Sequence, residues 1–391
     1  MPILILSTLF CLAALVILTW LHSQHHLDIL AEPCPPPGGD APLISVIVPA
    51  RNEERNIGEC VSALLSQTYP NYEVIVVDDR STDGTAEILV SIRSAPRPAG
   101  RLKIINGVDL PDGWAGKPHA LTQGAEAARG EWLLFVDADT FLAPEALSAA
   151  HAKAVETGAD LFTALTRQVM LTFWERTILP LVMTALSAGF SPRKVNDPKR
   201  REAIANGQFI FIKRSVYDAS GRHAAIKGSI VEDKDLAVLV KGQGYRLVLA
   251  DGRKIAATRM YTSLPEMWEG WTKNIYLGLK DDPALMVLGV FGAVLAVITA
   301  LGLPLWIGAG IAWLTVAGPN PGTLGVAVEA ALVWGYLIFW RVRISRAMGI
   351  PGWYALTTPL GAAVFAAMMA VSAWNVLSGR GVTWKGRTYV R

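Results

Sequence analysis

Residues 132–140, WLLFVDADT, set five apolar residues, Trp132 through Val136, directly against Asp137, Ala138 and Asp139. A short apolar run that stops in acids reads as a buried strand whose C-terminal end delivers carboxylates to a crevice, the place where open α/β sheets bind their ligands. Carboxylates at i and i+2 can approach one hard cation, and such a cation can bridge the phosphates of a nucleotide. Two solvated acids at a strand end are the other reading of the same residues.

Upstream, the same plan repeats. Residues 43–49, LISVIVP, form a β-branched run followed by Ala50, Arg51, Asn52 and Glu53 and then a helical pattern to about residue 66. Residues 72–79, YEVIVVDD, are followed by Ser81, Thr82, Asp83 and Gly84, a turn and N-cap before a helix at Thr85. Residues 103–105 predict a weaker third strand, and residues 117–129 a helix ahead of the 132–140 stretch. Alternation of strand and helix predicts an α/β domain with a parallel sheet. Three strand ends then carry polar groups to one edge: residues 49–53, Asp78 with Asp79, and Asp137 with Asp139.

Composition places this domain beside a membrane. The 391 residues are 52% hydrophobic and 18% charged, and the apolar excess lies toward the two ends. Residues 3–21 lack charge and are long enough to span about 30 Å of hydrocarbon as a helix. They read as an uncleaved anchor within 1–22, since a signal peptide would bring a basic n-region. Residues 23–42, with PCPPPGGDAP, predict a linker; 43–263 the α/β domain; 264–283 an interfacial helix; 284–377 a membrane region; and 378–391 a basic tail. Residues 169–190 and 264–279, the latter with Trp268, Trp271 and Tyr276, predict helices at the bilayer surface, with buried core helices as the alternative. Candidate spans are 284–301, 303–316, 324–340 and 354–374. Four of them would put 341–346, RVRISR, on the side away from the domain, against the positive-inside tendency. The net charge of +3 without a long basic run excludes nucleic acid as the expected partner. Three scattered cysteines indicate neither a disulfide framework nor a zinc site.

Taken in order, 49–85 (PARNEERNIGECVSALLSQTYPNYEVIVVDDRSTDGT), 112–121 (DGWAGKPHAL), 135–140 (FVDADT) and 231–237 (VEDKDLA) resemble the family 2 glycosyltransferases. The segment around EGWTKN and the hydrophobic C-terminal third resemble the bacterial branch that includes lipid, carotenoid and hopanoid-associated glycosyltransferases. The resemblance implies a GT-A nucleotide-sugar domain, Rossmann-like, with one N-terminal and about three to four C-terminal transmembrane helices. It implies a multi-pass protein of the inner or plasma membrane with its catalytic domain in the cytoplasm.

The resemblance also implies roles. Pro49, Ala50, Arg51 and Glu53 would surround the base and ribose of a nucleotide sugar, UDP-linked by expectation, with Asp79 as a second contact. Asp137 and Asp139 would hold Mg²⁺ or Mn²⁺ against the diphosphate, and Lys117 would add positive charge near sugar or diphosphate, a solvated lysine being its other reading. Asn206, Gly207 and Gln208 would line the sugar pocket. Glu232 and Asp233 match a Glu-Asp motif in which the Asp is general base on the acceptor. Gly221, Arg222 and His223 resemble a Gly-Gly-His turn with Arg222 in place of the second glycine, so His223 is either an acceptor or sugar contact or a structural histidine. Aligning Trp271 with the last residue of the Gln/Arg-x-x-Arg-Trp signature of processive members puts Met267 and Gly270 where Gln and Arg would stand. Trp271 would remain an acceptor platform, and Lys273 would take the cationic role. The departure favours a single inverting transfer to a lipid-type acceptor over a processive polysaccharide synthase. A catalytically silent membrane scaffold is the alternative from another class.

Overall fold

The computed structural model describes residues 28–94, 100–279, 283–384 and 387–389, with isolated positions between 5 and 19. Its strands are β1 (Ile44–Ala50), β2 (Tyr72–Asp78), β3 (Leu102–Asn106), β4 (Trp132–Phe135), β5 (Thr140–Leu142), β6 (Leu161–Leu165), β7 (Arg167–Gln168), β8 (Ile210–Lys213), β9 (Leu247–Asp251) and β10 (Ala256–Thr258). The helices used below are α1 (Gly116–Ala127), α2 (Phe173–Gly189), α3 (Glu232–Gly242), α4 (Leu264–Leu279), α5 (Pro321–Ala347) and α6 (Thr358–Leu377).

Seven strands form one sheet in the order β3-β2-β1-β4-β8-β6-β9, and β5-β10-β7 form a small second one. Strands β1 to β4 pair in parallel, whereas β8 runs antiparallel between β4 and β6, so the sheet is mixed rather than parallel throughout. Successive side chains of a strand point to opposite faces. Accordingly Val46, Val48, Val74 and Val76 enter one hydrophobic cluster, while Ile47, Ile75, Leu133 and Phe135 enter another. Covering on both faces explains why β1 and β2 read as near-continuous apolar runs.

The expected membrane arrangement is corrected. Among the described residues helix outweighs strand. Among the described residues two helices are long and apolar enough to cross a membrane, Pro321–Ala347 and Gly352–Leu377. The expected spans at 284–301 and 303–316 become helices of 15 residues each, Pro283–Val297 and Leu303–Ala317, separated by a π-helical turn. At 1.5 Å per residue each reaches about 22 Å, short of the roughly 30 Å of a bilayer core. The N-terminal anchor expected over 3–21 falls largely outside the described residues. Among the described residues, one or two C-terminal helices carry the membrane association, which corrects the expected multi-pass arrangement with its N-terminal anchor and cytoplasmic catalytic domain.

The arginine-rich end of α5 also finds its place. Arg341 donates from Nη2 to the Arg176 carbonyl on α2 at 2.8 Å and from Nη1 to Ser345 Oγ at 3.1 Å. That end of α5 abuts the sheet domain, which the four-span topology did not allow. A third hydrophobic cluster joins α2 (Ile178, Val182), α4 (Met267, Trp271) and α6 (Ala362, Phe365, Met368). Gly361 of α6 makes the contact close: a Cβ there would stand 2.7 Å from the Thr177 carbonyl of α2. The two helices expected at the bilayer surface are thus packed against the C-terminal helices.

Candidate active site

The ends of β1 and β2 are tied to each other before any ligand is considered. Asn52, just past β1, takes a left-handed conformation (φ 53°), which Asn tolerates because its side chain can bond the local backbone. Its N–H donates to Ser81 Oγ at 3.0 Å, and its Oδ1 accepts from the Thr82 N–H at 2.9 Å. Arg51 donates from Nη1 to the carbonyls of Asp79 at 2.8 Å and Arg80 at 3.2 Å. The Asp79 N–H in turn bonds the Ala50 carbonyl at 2.7 Å. Asp78 caps its own turn, accepting from the Ser81 N–H at 3.1 Å. The Glu53 N–H donates to Thr85 Oγ1 at 2.8 Å, and its carboxylate accepts from Asn56 Nδ2 at 3.2 Å. Pro49, Ala50, Arg51, Glu53 and Asp79 all border one large cavity.

Across that cavity the chain gathers charge. Asp137 projects beyond β4, and Lys117 rises from the first turn of α1. Lys117 Nζ stands 2.6 Å from Asp137 Oδ1 and 2.6 Å from Glu232 Oε1 at the start of α3. Asp233 accepts at Oδ2 from the Gly207 N–H at 3.1 Å and at Oδ1 from the Lys234 N–H at 2.8 Å. The turn that presents Gly207 is braced on both sides. Asn206 donates from Nδ2 to the Ala164 carbonyl at 2.8 Å, and Gln208 Oε1 accepts from Thr166 and, at 3.2 Å, from Gln168.

The electrostatics of the cluster separate its carboxylates. Removal from water raises Asp233, and the neighbouring Glu232 charge raises it further, to about 6. Burial would raise Glu232 as well, but Lys117 holds it below the usual range. Lys117 itself is raised well above an ordinary lysine, because Asp137, Glu232 and Asp233 outweigh its desolvation. Burial lowers Lys273 of α4 to about 8 against the pull of Glu232. A base must be ionised to accept a proton. The sequence expectation of Asp233 as general base therefore predicts transfer that falls as pH drops through about 6, to about a tenth of its plateau near pH 5; a pH–rate profile flat across that range would remove Asp233 from that role.

His223 does not border the cavity but lies behind Glu232 and Lys117. It is 1% exposed, its Nδ1 is 2.7 Å from the Tyr217 hydroxyl, and burial lowers it to about 4, so it stands neutral in the core with its ring edge-on to Phe135. Trp271 and Lys273 border the cavity from α4. The residue that sequence reasoning passed over is Tyr261, which also borders the cavity and lies close enough to Asp139 and Asp137 to feel their charge. Its only signal is the pairing of β10 with β5, a relation between distant parts of the chain.

The cavity encloses about 1700 Å³. Pockets for one small molecule run to roughly 300–1,000 Å³, so this space admits two substrates together. From the carboxylates it continues to apolar residues of the helical region, among them Met183, Leu288, Phe365 and Met369.

Comparison with known proteins follows the same division. Residues 45–221 match the family described as glycosyl transferase family 2. A 4,4'-diaponeurosporenoate glycosyltransferase of Staphylococcus aureus (strain MRSA252) is 29% identical over 264 residues, covering 65% of this chain and 68% of the relative. A mannosyltransferase from Pyrobaculum calidifontis, solved in complex with GDP-Man and Mn2+, superposes with a TM-score of 0.51 at 20% identity, over 93% of this chain and 98% of that one. At that identity the likeness speaks for the fold alone.

Proposed function

We propose that the chain, whose residues 45–221 match glycosyl transferase family 2, transfers a sugar from a nucleotide-sugar donor to a lipid-type acceptor. The observation that carries the reading is the single cavity that holds Asp137 and Asp139 at one strand end, Asp233 across Lys117, and an apolar extension into the C-terminal helices. The Staphylococcus aureus relative, named for a carotenoid acid, supports the lipid-type acceptor.

In this reading the Asp233 carboxylate takes the proton of the acceptor hydroxyl as that oxygen attacks C1 of the sugar. The bond from C1 to the diphosphate oxygen breaks, its electron pair leaves with the nucleoside diphosphate, and the anomeric centre inverts. Gly207 and Lys234 hold Asp233 by both oxygens, which fixes the direction in which the proton is received. Glu232 stays ionised against Lys117 and keeps that lysine at the boundary between the two substrates.

A divalent cation fits the donor set in a limited way. Among the described residues no group of three or more His, Cys, Asp or Glu could hold an ion unaided. Asp137 and Asp139 offer hard oxygen donors, and Mg²⁺-like ions at phosphate sites are held by one or two carboxylates plus the phosphates themselves. The two aspartates would hold Mg²⁺ or Mn²⁺ together with the diphosphate, and the ion would offset the charge that grows on the leaving group. The mannosyltransferase that shares the fold was solved with Mn2+.

The experiment is transfer by membranes containing the protein, with a panel of labelled nucleotide sugars, UDP-linked first, and Mg²⁺ or Mn²⁺, followed by organic and aqueous partition. Label in the organic phase is expected. Label in a water-soluble polymer would instead establish a synthase, and absence of transfer from every donor in the presence of native lipids would defeat the reading.

A further inference from the structure

Where the signature of processive members carries an arginine, this chain carries Gly270, and the neighbouring side chains explain the exchange. A Cβ built at Gly270 would overlap the hydroxyl and ring of Tyr261, so no other residue fits there unless that ring moves. Tyr261 reaches this place by register. Strand β10 pairs antiparallel with β5, with Thr258 opposite Thr140, and the Arg259 N–H donates to the Asp139 carbonyl at 3.3 Å. Two residues further on, Tyr261 lies within electrostatic reach of Asp139 and, more weakly, of Asp137. Its side chain is 5% exposed and meets Trp271 edge-on, with centroids 6.1 Å apart at 67°.

Two cations nearby are engaged by carboxylates. Arg259 donates from Nε to the buried Glu175 carboxylate at 3.0 Å. Lys273 lies among the carboxylates of Glu232, Asp233 and Asp137. The phenol remains protonated, since burial and the charges of Asp139 and Asp137 all raise it. A neutral donor beside these carboxylates avoids the desolvation that a further buried charge would carry.

We propose that Tyr261, seated where Gly270 leaves room for its ring, is a donor-substrate contact whose phenolic O–H donates a hydrogen bond to a diphosphate oxygen of the nucleotide sugar. This rests on the reading of the cavity as a nucleotide-sugar site. The bond strengthens as the diphosphate gains charge on leaving, so Tyr261 acts on the chemical step as well as on binding. No proton is transferred to or from the phenol.

The test uses the full chain in lipid nanodiscs with Mn²⁺, measuring dissociation constants for UDP and UMP, and for GDP and GMP because the base is open. Hydrogen bonds to charged groups are commonly worth a factor of about 10 to 100 in binding. Wild type is expected to prefer one diphosphate over its monophosphate, and Tyr261→Phe to weaken that diphosphate about tenfold while leaving the monophosphate and the melting temperature unchanged. Its kcat is expected to fall about a hundredfold, as for loss of one donor to a developing anion. Equal affinity of Tyr261→Phe and wild type for the diphosphate, or an equal loss for both nucleotides, would overturn the contact while leaving the site standing. Wild-type protein that binds no nucleotide would overturn the site and the contact together. Should Tyr261→Phe not fold, Gly270→Ala asks the same question by displacing the ring, with the same diphosphate-selective loss expected.

Discussion

Asp233→Asn is expected to lower kcat for sugar transfer by about 10²–10⁴, the range over which positioned general bases contribute. Affinity for the nucleotide sugar should change little, because the hydrogen bonds that hold Asp233 come from the backbone N–H groups of Gly207 and Lys234, and asparagine keeps its place between them. Asparagine keeps one carbonyl oxygen but turns an amide toward the other N–H. A local cost of about 1 kcal/mol in stability is therefore expected, and a thermal unfolding curve separates it from the kinetic loss. Donor affinity lost in parallel with kcat would show that the residue shapes the donor pocket instead, and transfer at the wild-type rate would leave the acceptor without its base.

The second large effect is expected at Asp139. Asp139→Asn removes one of two carboxylates that a divalent ion would share with the diphosphate. A metal placed on a leaving phosphate is worth several kcal/mol of transition-state stabilisation, so a loss of about a thousandfold in kcat/KM is expected. The metal requirement distinguishes this role from a merely structural one. In wild type Mn²⁺ should bind weakly alone and much more tightly with nucleoside diphosphate, since among the described residues no protein cluster could hold it unaided. In Asp139→Asn that mutual enhancement should disappear, with the melting temperature little changed. An unaltered metal titration in the variant would exclude the assignment.

The strand ends were legible because their signal is local. Residues 72–79 were expected as a strand, and the strand is Tyr72–Asp78, with Asp78 turned into its own loop and Asp79 4% exposed at the cavity. The helix expected at 117–129 is Gly116–Ala127, and Lys117 consequently leaves its first turn toward β4. What the residues could not announce was long-range. The Lys117 pair with Glu232 and the approach of Tyr261 to Asp139 depend on how separate loops cross the sheet edge. The sense of β8 was hidden because an apolar FIFI run is compatible with either direction. Hydropathy overstated the spans for a related reason: windows at 284–301 and 303–316 record composition, whereas the break at Ile298–Gly302 is a matter of backbone geometry. His223 had a motif-like neighbourhood, yet Tyr217 and Phe135 enclose it.

The close seat of Gly361 against Thr177 bears on how such an enzyme can change its specificity by inheritance. Helices α2 and α4 form the wall that holds Trp271 and, through Gly270, Tyr261, and both share their apolar faces with α6. Exchange of the C-terminal helices alone for a set with a larger residue in place of Gly361 would push against the Thr177 carbonyl of α2, and the disturbance would reach the catalytic wall. Recombination between relatives should therefore succeed where α2, α4 and α6 travel as one unit. The heritable module for the acceptor then includes part of the sheet domain.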